Sequence, residues 1–146
     1  MLSKLDSSDL VESAYAKALA GKAVLGAQTS NNRNDFSLVF HLKYGQFDAL
    51  LTGDADERVQ DEIMAVSAIP EVEVFKVPHH GSKTGMIDEY LEAANPDLAV
   101  ACVGKNQWGH PTEEILERLS NRAIEILRTD QDGEVEIVTD GKGYSF

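Results

Sequence analysis

Cysteine is almost absent from this sequence: Cys102 stands alone. An internal disulfide is therefore excluded, and the apolar run around Cys102 assigns it to packing. Long hydrophobic runs are missing too. No stretch approaches the roughly 20 apolar residues of a membrane span, and no basic-then-apolar leader is present, so direct membrane insertion is not expected. Basic residues are few, 13 against 25 acids, for a formal net charge of −12. Broad nonspecific binding to nucleic acid needs cationic surface to displace counterions, and this balance argues against it. Repeats and low-complexity linkers are also lacking. What is present is 42 % apolar residues in short runs over 146 positions. That is enough for one sizeable core but not two, so residues 1–146 read as a single soluble domain whose compartment is left open.

The charge is unevenly placed. No acid occurs from Val74 to Ile87 or from Leu98 to Thr112, and these stretches hold Lys76, Lys83 and Lys105. The acids gather in helix-like segments, most simply as solvated faces. Along the chain, helix-like and strand-like patterns alternate. Asp9-x-x-Glu12 reads as a capping box, with Leu10, Ala14 and Ala18 at helical spacing before Gly21. Ala23 to Leu25 reads as a short strand. Phe36 to Leu42 and Phe47 to Leu51 read as a hairpin turning at Tyr44-Gly45-Gln46. Val59, Ile63 and Val66 suit one helix face; Val72 to Val77 and Leu98 to Val103 are strands; Ile87, Tyr90 and Leu91 suit a helix ending before Asn95-Pro96. Thr112 is placed to cap a helix with Ile115, Leu116 and Leu119 inward and Glu114/Arg118 as an i,i+4 pair. Ile124 to Leu127 and Val135 to Val138 are strands about the turn Asp130-Gln131-Asp132-Gly133. The alternation predicts an α/β fold with a mixed sheet flanked by helices, and functional loops at its strand ends.

Three polar knots follow three apolar runs: Leu51-Thr52-Gly53-Asp54, Val77-Pro78-His79-His80-Gly81-Ser82 and Gly104 to Pro111. Imidazole and carboxylate bind borderline or hard cations, and glycine lets backbone and water approach. A Gly-Asp after a strand also serves as a turn or helix cap. Two adjacent histidines are harder to assign to packing. His110, before a proline, reads either as a loop-locking residue or as a side chain reaching the edge shared by Asp54 and His80. Trp108 roofs that pocket or packs its own loop.

Asn34-x-x-Ser37-Leu38-Val39, Leu51-Thr52-Gly53-Asp54, Val77-Pro78-His79-His80-Gly81-Ser82, Gly109-His110-Pro111 and Thr129-Asp130-x-x-Gly133 occur in this order. The series resembles the metallo-β-lactamase-fold hydrolase domain attached to the DNA-uptake competence protein ComEC, a membrane protein. The resemblance implies an αββα sandwich and metal-assisted phosphoester hydrolysis with two Zn or Mn ions, and a task in degrading DNA. On that reading Asp54 bridges two metals and His80 is the last ligand of the second site. His79 supports it, or replaces it if the register slips by one. Ser82 and the Gly81 amide hold a phosphate oxygen, with Lys83 beside them. His110 protonates the leaving oxygen or clamps substrate. Asn34 supports the site by hydrogen bonds or is a turn residue.

The family's His-x-Asp-x-Asp-His segment has no counterpart: no histidine precedes His41, and no matching acids follow it. The expectation is the C-terminal half of the sandwich, as a piece of a longer chain or as a divergent protein. A half-sandwich exposes an apolar sheet face, which a homodimer or a complementing segment would cover. The alternatives are a metal-free pseudo-enzyme or binding module and a dimerisation domain with structural histidines.

Overall fold

The computed structural model describes residues 15–18 and 32–146. Their centre is a six-stranded mixed sheet in the order β1-β2-β3-β4-β5-β6. The strands are β1 (Tyr15–Ala18), β2 (Phe40–Tyr44), β3 (Phe47–Leu51), β4 (Val74–Lys76), β5 (Leu98–Ala101) and β6 (Glu125–Arg128). The first three run antiparallel; β3 to β6 are parallel. Helices α1 (Glu57–Val66), α2 (Asp88–Ala94) and α3 (Glu113–Ser120) make the crossovers. A small hairpin, β7 (Val138–Thr139) with β8 (Tyr144–Ser145), follows. The α/β expectation holds.

The β2–β3 hairpin is as short as its residues allow. Tyr44 faces Phe47 across Gly45-Gln46, and Gly45 takes the positive φ of 61° that a two-residue turn demands. The expected strand from Phe36 starts only at Phe40, because Arg33–Phe36 form a 3₁₀ turn whose Asn34 N–H is accepted by the Asn32 side chain. Asn side chains offer the backbone this local alternative to a ladder. The helix expected through Ala18 is corrected likewise: Tyr15–Ala18 form β1, antiparallel to β2. Short helical periodicity is a weak preference beside a sheet edge with open hydrogen-bonding groups. The rest of that segment and the strand at 23–25 lie outside the described residues.

The alternation of β3, β4 and β5 sorts side chains onto two faces. On one, Leu50, Phe75, Ala99 and Ala101 meet Val59 and Ile63 of α1, Tyr90 and Leu91 of α2, and Ile115 and Leu119 of α3 in one buried cluster. Removing a large side chain such as Phe75 here would cost about 3–5 kcal/mol. Val66 does not join them; at the last turn of α1 it is 80 % exposed. Gln60 is buried, its amide donating to Ala55 O and Gly85 O and accepting from Ile87 N. It ties α1 to the segment that leads into α2.

The other face carries Phe47, Ala49, Val74, Leu98 and Val100. The bare apolar face expected of a half-sandwich is not what is found. Val135, Ile137 and Tyr144 of the C-terminal segment pack over it, and the Tyr144 ring sits 5.7 Å from Phe47. The strand expected at Val135–Val138 is an extended segment with alternating burial whose ladder starts only at Val138. Leu51, at the far end of β3, stays 43 % exposed. At the sheet edge, Arg128 N donates to Asp132 Oδ2 (2.7 Å), and Arg128 O accepts from Gln131 N and Asp132 N.

Candidate metal and phosphoester site

Parallel strands deliver their C-terminal loops to one edge, which is where open α/β sheets gather their functional groups. Here β3 delivers Thr52-Gly53-Asp54, β4 delivers Pro78 to Ser82, and β5 delivers Val103 to Pro111. Asp54 does not cap α1. That position belongs to Asp56, whose carboxylate accepts from Val59 N. The Asp54 carboxylate instead faces His80, with Nε2 3.5 Å from Oδ1.

The loop after β4 is held in an uncommon backbone. His79 (φ 46°), His80 (φ 57°) and Gly81 (φ 78°) are all left-handed. For histidine this region is sparsely populated, and its retention means the surroundings determine it. Gly81 is clamped: a Cβ there would lie 2.5 Å from Pro111 Cβ, and Thr112 donates to Gly81 O through both N and Oγ1 (2.9 and 3.2 Å). The Thr112 hydroxyl is thus spent on Gly81, so it stands before α3 without a side-chain cap bond.

The two histidines part company. Nδ1 of His80 donates to Cys102 O at 2.6 Å, which orients the ring and turns Nε2 towards Asp54. His79 turns the other way. Asn34 Nδ2 donates to its ring, 3.1 Å from Nε2, and the His110 ring lies 6.1 Å away. The Cys102 side chain packs against the second apolar cluster, as expected, and its backbone carbonyl, beside the cleft, orients His80.

Lys76 is the near cation. It donates to Gly53 O (2.6 Å) and lies 4.0 Å from Asp54 Oδ1. Burial pulls its ammonium below the ordinary value, and Asp54 opposes that pull. Lys83 is exposed and pairs with Glu114 at 3.5 Å. Ser82 is buried, and its N–H donates to His79 O.

The loop after β5 depends on a residue the sequence did not single out. Asn106 Nδ2 donates to Gly104 O and His110 O, while Oδ1 accepts from Trp108 N and His110 N. Its Asn-x-x-x-His spacing in a glycine-bounded loop was the available signal. Thr129 seals the base of the loop, accepting from Val103 N and donating to Val103 O. His110 Nδ1 is buried without a partner. Burial, then the neighbouring His79 and His80, hold the His110 imidazole below its ordinary pKa. A cleft of about 400 Å³ opens against His80, Cys102, Lys105, Asn106, Trp108 and His110.

The donor chemistry at Asp54 and His80 fits a divalent cation: a carboxylate oxygen and an oriented imidazole nitrogen on adjacent strand ends. Two donors do not complete a catalytic site, which takes three protein ligands and a water. Among the described residues no group of three or more His, Cys, Asp and Glu is arranged to hold an ion. No helix among them is long and apolar enough to cross a membrane.

Sequence comparison gives this edge a context. The chain is 35 % identical over 106 residues to ComE operon protein 3 of Bacillus subtilis, a match covering 72 % of the chain and 14 % of that protein. It is 32 % identical over 105 residues to Competence protein ComA of Neisseria gonorrhoeae, covering 70 % and 15 %. To Recombination protein 2 of Haemophilus influenzae it is 31 % identical over 105 residues, covering 71 % and 13 %. The chain is similar to competence-related proteins. It spans only about one seventh of the length of the curated relatives it matches. No protein-family model matches it.

Proposed function

We propose that this chain is the C-terminal part of a metallo-β-lactamase-like hydrolase domain that acts on phosphoesters, with DNA handled in competence-type uptake as its setting. The observation that carries the reading is the Asp54–His80 pair. The His80 ring is oriented by Cys102 O, and its Nε2 is turned to the carboxylate at 3.5 Å. A histidine fixed through its far nitrogen in this way is prepared for a cation.

In a complete site Asp54 and His80 would hold two of the coordination positions, and an acidic-histidine segment of the His-x-Asp-x-Asp-His kind would supply the rest. A divalent ion bound there lowers the pKa of water and offsets phosphate charge. The chain's own residues do the remainder. His79, fixed by Asn34, supports the His80 turn. His110, held neutral, faces the same edge and donates a proton to the leaving oxygen only after taking one up. Gly81 lets Pro111 and Thr112 close on the turn that presents His80, and Lys83, once released from Glu114, adds positive charge at the rim.

A second reading has its own observation. Lys76 already offsets Asp54, at 4.0 Å and locked onto Gly53 O. A standing ammonium next to the carboxylate suits a metal-free module or dimerisation domain that keeps the fold. Titration of Mn²⁺ or Zn²⁺ into Asp54→Ala, His80→Ala and His79→Ala separates the readings. The first two should abolish binding by the joined protein, the chain fused to a segment carrying the missing signature. His79→Ala should cost about 10- to 100-fold. The joined protein should also hydrolyse bis(p-nitrophenyl) phosphate with that metal, and the chain by itself should not. Binding that ignores all three substitutions would sink the hydrolase reading in favour of the second.

A further inference from the structure

We propose that Trp108 is a stacking platform for an unpaired nucleobase, so that the cleft takes single-stranded nucleic acid in preference to a duplex or a base-free phosphodiester. The proposal deepens the phosphoester reading and rests on it for the ligand's class.

Trp108 is 71 % exposed and therefore does not serve the core. An indole left in water is ordinarily free to wander, but this one is fixed at its backbone. Trp108 N donates to Asn106 Oδ1, and the same side chain fastens Gly104 and His110 on either side. The ring lies nearly parallel to His110, at 18° and 6.4 Å between centroids. One side of the indole is thus occupied by His110, and its exposure leaves the rest to solvent.

The surroundings select the ligand. The cleft beside Trp108 is lined by nine residues, none of them acidic, in a chain of net charge −12; Lys105 is its cation. Anionic ligands are repelled by most of this protein and admitted here. One lysine is too little for affinity built on counterion release, so binding must draw on something besides charge. Aromatic stacking supplies it, and every base has a π-face to offer, which makes the preference tolerant of sequence. In a duplex those faces are buried between neighbouring bases. His110, which shares the stack, also sits beside His79, so a base on Trp108 places its phosphate towards the Asp54–His80 edge.

Trp108 is the single tryptophan of the sequence, so its fluorescence reports this position alone. The chain is titrated, in chelator, with oligothymidylate of about 12 nucleotides, with an abasic strand of the same length, and with the corresponding duplex. Oligothymidylate should quench the emission; the abasic strand and the duplex should not. In anisotropy with a labelled strand, Trp108→Ala should weaken binding about 5- to 100-fold, and Trp108→Phe should recover most of it. Equal binding of the abasic strand, indifference to Trp108→Ala, or no binding of any strand would each overturn the proposal; the last would return the indole to a protein partner. Hydrolysis of bis(p-nitrophenyl) phosphate by the joined protein uses no base. Loss of stacking with hydrolysis intact overturns this inference alone, and stacking without hydrolysis overturns only the reading beneath it.

Discussion

The loops after β4 and β5 bring histidines to the same edge by opposite means. The first is sterically clamped, with three successive left-handed residues of which the last, Gly81, is pressed against Pro111 and Thr112. The second is open, shaped by the four hydrogen bonds of Asn106. Packing fixes a side chain to within a fraction of an ångström but leaves no room for adjustment. Hydrogen bonds from one amide fix a loop's path while leaving its surface free to meet a ligand. The pair most suited to holding an ion, Asp54 with His80, involves the clamped loop; the exposed aromatic belongs to the tethered one.

Glycine tests this contrast most severely, because each loop has one at nearly the same φ: Gly81 at 78° and Gly109 at 74°. Only the backbone cost, about 1–2 kcal/mol for a left-handed alanine, is common to both. At Gly81 the new methyl would also meet Pro111 Cβ at 2.5 Å and Cα at 2.9 Å, whereas nothing lies within 4 Å at Gly109. Overpacking adds about 1–3 kcal/mol. Urea unfolding should therefore show Gly81→Ala losing about 2–5 kcal/mol and Gly109→Ala about 1–2 kcal/mol. Equal losses would mean the β4 loop is not clamped.

Asn106→Ala addresses the other loop. It should cost about 1 kcal/mol globally, since its bonds lie near the surface where water replaces them. The larger sign should be local, as lower fluorescence anisotropy of Trp108. Unchanged anisotropy would mean that something besides Asn106 holds the indole.

The smallest effect is in pH. Burial and its two histidine neighbours depress the His110 pKa from 6.5 in the fold, so the unfolded chain takes up a proton first as pH falls. The associated stability is present above about pH 6.5 and is lost as pH drops from there through the folded value. Thermal unfolding measured between about pH 7.5 and 5 should show this slope, and His110→Gln should flatten it. An identical slope in the variant would remove His110 as its source.

How much of this was legible in the sequence depended on the range of the interaction. The three knots were readable because glycine, proline and histidine interrupt apolar runs at positions the strand ends require. The hairpin at Gly45 was readable for the same local reason. That the two histidines part was readable, because neighbouring side chains diverge on a tight loop; which one meets Asp54 came from the resemblance, and the structure puts His80 Nε2 3.5 Å from Asp54 while His79 meets Asn34. Long-range compensation was not readable. Gln60 is buried because Ala55, Gly85 and Ile87 offer backbone groups to its amide. Val66 is stranded because α1 outruns its contact with the sheet. β1 is a strand rather than a helix because β2 offers it an edge. The C-terminal cover over the second sheet face escaped because burial, not pattern, decides which face Val135 and Ile137 meet.

The turn after β6 has a consequence for association. Residues 125 and 129 give their N–H groups to β5, so Arg128 points its polar groups outward, and Asp132 and the turn take up both. A second molecule arriving along that border finds the Arg128 positions already occupied and a charged residue at each end of a four-residue strand. Extension of the sheet from copy to copy is disfavoured at Arg128. A copy of this chain meeting that border would find fewer backbone groups on which to add a strand.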